Sequence, residues 1–226
     1  MSKCLHACRN HQTSFTSLLH TLIKVTLATE FYPDAKFNHS QLALDVRPYI
    51  KPHNRKHVMS CSVSIISSFD WLSQFRRAGK QTSTSGDTLD DADLLWELAR
   101  KHRAYVLNDI HHKQSWKTAW LSIQLIGEDE EDYAKDFIRG LKLAQPNCFS
   151  ISNLGAYDAS QSASQAVHNG PWSITNMEFS AGAWKSGFGA NLNFNVAGVR
   201  NGSTIIHANH EVVDHEMFLI EFGEAE

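Results

Sequence analysis

Cysteine is scarce in these 226 residues: Cys4, Cys8, Cys61 and Cys148 are too few and too scattered to staple a chain this long. That excludes a disulfide scaffold and points to a reduced, cytoplasmic protein. Long hydrophobic runs are missing too. Nothing reaches the roughly 18 apolar residues of a membrane-crossing helix, so no membrane span is expected. The stretch from Met1 to Arg9 lacks the apolar core of a secretory signal. Charge of one sign is not in excess; a formal net charge of -3 gives no electrostatic ground for nucleic acid or an anionic membrane as partner. Phosphate-cradling loops are absent as well, because Gly182, Gly187 and Gly189 have neither the Gly-x-Gly-x-x-Gly spacing nor a helix after them. There is no Gly-x-Ser-x-Gly nucleophile elbow. What remains is ordinary globular composition, 42% hydrophobic, which is enough to bury a core in one domain spanning 1–226.

Periodicity supplies both kinds of element. Residues 13–31 read as a helix capped by Thr13 or Ser14, with Phe15, Leu18, Leu19, Leu22, Ile23 and Val25 at three- and four-residue spacing and Pro33 as its stop. Leu42, Leu44 and Val46 alternate as in a strand that ends at Pro48. A basic loop, 53–57, leads to a second strand, Met59 to Ile66. There Met59, Cys61, Val63 and Ile65 share one face and serines the other. Lys80 to Asp91 reads as an exposed loop, and Asp93 to His111 as a helix with Leu94, Leu95, Leu98, Ala99 and Val106 inward. Residues 115–126 read as apolar and helical, and the acidic run 128–132 as the start of another helix.

Asn147 to Gly155 opens as a strand, Phe149 and Ile151 alternating with Ser150 and Ser152. Asn153 and Gly155 then stop the strand, as residues that accept unusual backbone angles and allow close approach. After a Ser/Ala/Gln-rich loop, 158–170, strands are expected at Trp172 to Phe179, Ala190 to Val199 and Thr204 to Asn209. The last two are joined by the Asn201-Gly202 hairpin signal. Val212 to Phe222 reads as a closing helix. The fold class is α/β, a mixed sheet flanked by helices.

Few groups invite chemistry on spacing alone. Cys4, Cys8 and His11 share a helix face, but their spacing misses the usual zinc knuckle, so no metal is expected. His111-His112 lies beside Asp109, which could orient a base. Adjacent helical histidines diverge by about 100°, however, and a solvated helix end near the negative dipole suits them better. The six tryptophans are spread along the chain as core or groove anchors rather than a stacking platform.

Taken in order, several segments resemble the C-terminal half of the fungal alcohol O-acetyltransferase family, within the chloramphenicol-acetyltransferase-like and condensation-domain group. Cys8-Arg9 with the Thr13 to Leu19 run resembles its helix start, and Leu44-Asp45-Val46-Arg47-Pro48 one of its strands. Leu95-Trp96-Glu97-Leu98-Ala99-Arg100 resembles a helix of the family, and Ser152-Asn153-Leu154-Gly155 a strand end. Glu178-Phe179-Ser180 with the Gly189 to Val199 strand resembles its closing hairpin.

The resemblance implies one half of a two-half sandwich that carries an acyl group from acetyl-CoA or another acyl-CoA, used as co-substrate, to a small alcohol. On that likeness Ser152, Asn153 and Gly155 border the substrate tunnel, and Arg47 is structural, holding loops by charge-assisted bonds. The family's base stands in a His-His-x-x-x-Asp-Gly motif of the other half. Here His111-His112 is followed by Trp116 and Lys117 where Asp and Gly belong, so no catalytic residue is carried over. The chain alone is therefore expected to be inactive, an acyltransferase half or a binding module. Self-association through an uncovered half-interface is expected.

Overall fold

A computed structural model describes residues 1–46, 63–84, 93–115, 147–157, 174–180, 190–200, 203–210 and 218–221. Helices α1 (Ser2–Asn10) and α2 (Phe15–Thr26) come first, and α2 runs on into a π-helical turn, Leu27–Phe31. Ser14 caps α2, its hydroxyl accepting the Ser17 N–H at 3.2 Å. Strands β1 (Phe37–Asp45) and β2 (Val63–Trp71) follow, then helices α3 (Ser73–Thr84) and α4 (Asp93–His112). The chain closes with β3 (Asn147–Tyr157), β4 (Ala190–Val199), β5 (Thr204–His210) and β6 (Phe218–Glu221).

The strands form one sheet in the order β2-β1-β3-β4-β5-β6. β3 lies parallel to both β1 and β4, while the remaining neighbours are antiparallel, so the sheet is mixed and the α/β class holds. Helix α2 lies at the centre. One of its sides meets the sheet through Ile23 and Leu27, which pack with Leu42, Ile66, Phe149 and Ile151. Its other side meets the remaining helices through Leu18 and Val25, packed with Cys8, Phe75, Leu95 and Trp96. Burial on two sides is why α2 carries more apolar residues than a single stripe requires.

Three expectations are corrected. The segment after Met217 is strand β6 and not a helix, at least over Phe218–Glu221. Its Phe-Leu-Ile-Glu run is short, and pairing with Ile205–Ala208 of β5 satisfies backbone groups that so short a helix would leave open. Residues 174–179 have no regular structure although they alternate like a strand. Lys80–Thr84, expected as a loop, completes α3. The hairpin around Asn201-Gly202 is borne out by the antiparallel pairing of β4 with β5, from Gly198↔Thr204 to Leu192↔His210. Arg47, the basic loop 53–57, the helices expected at 115–126 and from 128, and the loop 158–170 lie wholly or almost wholly outside the described residues.

The β1–β2 end of the sheet has inverted polarity. On β2, Val63, Ile65, Phe69 and Trp71 are exposed, whereas Ser64 is buried beneath the helices. On β1, Asn38 and Ser40 are buried while Phe37 is half exposed. Phe37 stacks on Phe69 with ring centroids 4.9 Å apart and meets Trp71 edge-on at 6.3 Å, so the outer face carries an aromatic cluster.

Candidate functional site

The inverted polarity has its cause in α2. Ser17, His20, Thr21 and Lys24 recur at three- and four-residue spacing, a second stripe that is polar and buried. His20 and Lys24 point at the hydroxyl-bearing face of β1 and β2. There the Lys24 ammonium pairs with the Asp70 carboxylate and donates to Ser68 Oγ at 3.1 Å. Ser68 Oγ lies 2.8 Å from Ser40 Oγ, and Ser40 Oγ lies 2.9 Å from His20 Nε2. An ammonium only donates, so Ser68 accepts from Lys24. Ser68 Oγ also lies 3.3 Å from His20 Nε2, and the direction of the bonds among Ser68, Ser40 and His20 follows the tautomer of the ring. His20 Nδ1 is buried with no partner among the described residues.

Against His20 lies His102 of α4, the two rings stacked with centroids 3.6 Å apart and planes 20° from parallel. Burial, followed by the positive charge of Lys24, pushes His102 down to about 4. The same two causes, with His102 added, hold His20 well below the ordinary histidine range. Both rings are therefore neutral at pH 7, as a stacked pair of imidazoles beside an ammonium must be. Lys24 is itself lowered by burial, and Asp70 offsets part of that shift.

His20, Ser68, Asp70 and His102, but not Lys24 or Ser40, border a cavity of about 510 Å³ whose walls also include Phe75 and Tyr105. Tyr105 donates to the Ser67 carbonyl oxygen at 2.6 Å. Most of its lining side chains are polar or charged, with Phe69, Phe75 and Leu98 supplying the apolar part, so it would suit a small polar ligand. Neutral imidazole nitrogen against hydroxyls can take up a proton from a bound hydroxyl. Among the described residues no group of three His, Cys, Asp or Glu side chains is arranged to hold a metal.

The sequence-predicted residues sit elsewhere. Asn153 donates from Nδ2 to Thr16 Oγ1 at 2.9 Å, tying β3 to the first turn of α2, and its Oδ1 accepts the Gly155 N–H at 2.8 Å. Gly155 has φ +75, a left-handed conformation, at the irregularity between Asn153 and Ala156 in the β3–β4 pairing. The strand does not stop there as expected but runs on to Tyr157, because the bulge is absorbed and pairing resumes at Ala156↔Gly198. Ser152 is in register with Asn195 and so lies on the outer face, opposite to Phe149 and Ile151. None of the three lines the cavity. His111 and His112 are exposed at the end of α4, a solvated helix terminus as expected. Asp109 is buried and accepts from the Ser115 hydroxyl instead of a histidine. Cys8 is buried and its thiol is raised to about 11 by burial first and by Cys4 next, while His11 stacks on Trp96 at 4.0 Å. These are packing roles.

Sequence reading passed over His20, Lys24 and His102 because none belongs to a recognised motif: Lys24 stands between Ile23 and Val25, His20 follows Leu19, and His102 sits in a basic run between Lys101 and Arg103. The available signal was the i, i+3, i+4, i+7 spacing of Ser17, His20, Thr21 and Lys24 within an already apolar helix. Comparison with known protein families, curated proteins and solved structures finds no match. No described helix is long and apolar enough to cross a membrane.

Proposed function

We propose that this chain is an acyltransferase-type unit, one half of a two-half fold that moves an acyl group from acyl-CoA to the hydroxyl of a small alcohol. The observation that carries the reading is the uncovered apolar outer face at the β1–β2 end, Phe37, Val63, Ile65, Phe69 and Trp71, each at least 51% exposed. At roughly 500 Å² together, from typical side-chain areas, it is as large as the largest patch of ordinary monomers, and such patches mark interaction surfaces. The sequence likeness around Leu95–Arg100 and Ser152–Gly155 gives the class, and a second half bearing His-His-x-x-x-Asp-Gly would supply the base.

The test is transfer from acetyl-CoA to straight-chain alcohols from ethanol to decanol. The chain alone is expected to be silent, and the chain mixed with a family half bearing that motif is expected to release coenzyme A. Silence of the mixture, with no change in either half's sedimentation, would sink the proposal.

A second reading is favoured by the 2.9 Å contact of His20 Nε2 with Ser40 Oγ: the cavity itself activates a hydroxyl. Turnover by the chain alone that vanishes with His20→Ala and survives His112→Ala would move the chemistry there.

A further inference from the structure

Strand β2 is the outer strand of the sheet, with β1 as its one neighbour among the described residues. Its backbone groups divide cleanly. The Leu72 N–H just beyond β2 bonds to the Lys36 carbonyl on the β1 side, whereas the Ser67 carbonyl points away and accepts the Tyr105 hydroxyl. By the alternation of an antiparallel ladder, Val63, Ile65, Ser67, Phe69 and Trp71 turn their N–H and C=O groups outward. The same residues carry their side chains on the exposed face.

Edge strands usually carry a guard against pairing: a lysine, a proline, a bulge, an inward charge or a covering helix or loop. Here the covering among the described residues is a single side chain, Tyr105 of α4, at the Ser67 carbonyl. Val63–Trp71 holds no lysine, arginine or proline. Its one charge, Asp70, does face inward, but Lys24 neutralises it, so it does not repel an incoming strand. The pairing with β1 runs without a register shift from Phe37↔Trp71 to Asp45↔Val63, so no bulge bends the edge away.

Placed antiparallel to a second copy and centred on Ser67, the strand is complementary to itself. Val63 falls opposite Trp71 of the second copy and Ile65 opposite Phe69, while Ser67 meets Ser67. Aromatic against β-branched is among the favoured cross-strand combinations. Asp70 falls opposite Ser64, so no like charges meet. A shift of the centre to Ile66 would set Val63 against Phe69 but leave Trp71 beyond the strand's end. The Tyr105 hydroxyl uses one lone pair of the Ser67 carbonyl and leaves the second for an incoming N–H.

We infer that this chain forms a two-fold symmetric dimer through antiparallel pairing of β2 with β2 of a second copy, joining the two sheets into one. The inference does not depend on the acyl-transfer reading. It uses the edge of the sheet, while a partner half would use the outer face, and the dimer leaves that face open.

Sedimentation of the full chain over a concentration series tests it, with two classes of variant. Ser67→Pro removes an outward N–H that β1 does not use, so the ladder to β1 is kept. It is expected to weaken the dimer by more than about tenfold, because a central hydrogen-bonded pair is lost in both directions. Phe69→Ser with Trp71→Ser keeps the edge backbone and is expected to weaken it less. A chain that is monomeric throughout the series would overturn the inference. So would a dimer that tolerates Ser67→Pro and is abolished by the double serine variant, since that pattern belongs to face-to-face stacking.

If Ser67→Pro fails to fold by circular dichroism, Ser67→Cys decides. Paired Cα atoms at about 5.5 Å are within disulfide range, so oxidation should give a dimer linked between the two copies of position 67 by peptide mapping. No such link, with the protein folded, would equally overturn it.

Discussion

The outer face of the sheet is treated in opposite ways at its two ends. At β4 and β5, Asn195, Ala197, Ile205 and His207 are buried, and residues 174–180 run alongside: Glu178 reaches His207 at 3.5 Å and the Asn176 side chain bonds to Ser203. At β1 and β2, Phe69 and Trp71 are about 60% exposed. Hydrophobicity does not predict which end is covered, since asparagine and histidine are buried at one and phenylalanine and tryptophan are bare at the other. Coverage is decided by which segment of chain passes over.

The contrast can be broken most sharply on a single strand. Asp70→Ala leaves the wholly buried Lys24 ammonium without its carboxylate and is expected to cost about 4 kcal/mol in urea unfolding. Phe69→Ala, one residue away on the bare face, is expected to stay within about 0.5 kcal/mol. Equal effects would mean that the aromatic face is covered in solution.

Acid comes next. Unfolded histidines take up a proton near pH 6.5, but folded His102 waits until about 4, and burial holds His20 well below its ordinary range too. The unfolded state therefore binds more protons in that window, so stability is full above about pH 6.5 and falls as pH drops toward 4. The loss is on the order of 3 kcal/mol for His102. His20→Gln with His102→Gln should flatten the stability-against-pH curve between pH 6.5 and 4; an unchanged slope would show that the rings are charged or open to water.

At the other end of the outer face, Ile205→Ser should cost about 3 kcal/mol, against less than about 1 for Ile65→Ser, because Ile205 is 6% exposed and Ile65 is 51%. Thermal melts of the two variants side by side test this. Smallest is Gly155→Ala, about 1 kcal/mol, from the φ of +75 alone, since among the described residues no atom beyond its chain neighbours lies within 4 Å of the added Cβ. A loss several times larger would reveal a crowded site.

Much of the fold is legible in the chain. The three-and-four spacing of Phe15, Leu18, Leu22 and Val25 places α2, the alternation around Phe149 and Ile151 places β3, and Asn201-Gly202 joins β4 to β5. The site is not legible in the same way. His20 and Lys24 become neighbours of Ser40, Ser68 and Asp70 only when β1 and β2 are laid under α2, and His102 arrives from α4, 82 residues along the chain from His20.

The sequence by itself determined periodicity, and with it the elements and the alternation of serines with apolar residues along β2. Only the tertiary structure decided that the serines face in, because a strand's two faces are equivalent until something packs on one of them. The buried lysine and histidine of α2 require hydroxyls and a carboxylate as partners. Satisfying those buried polar groups turns the phenylalanine and tryptophan of β2 outward.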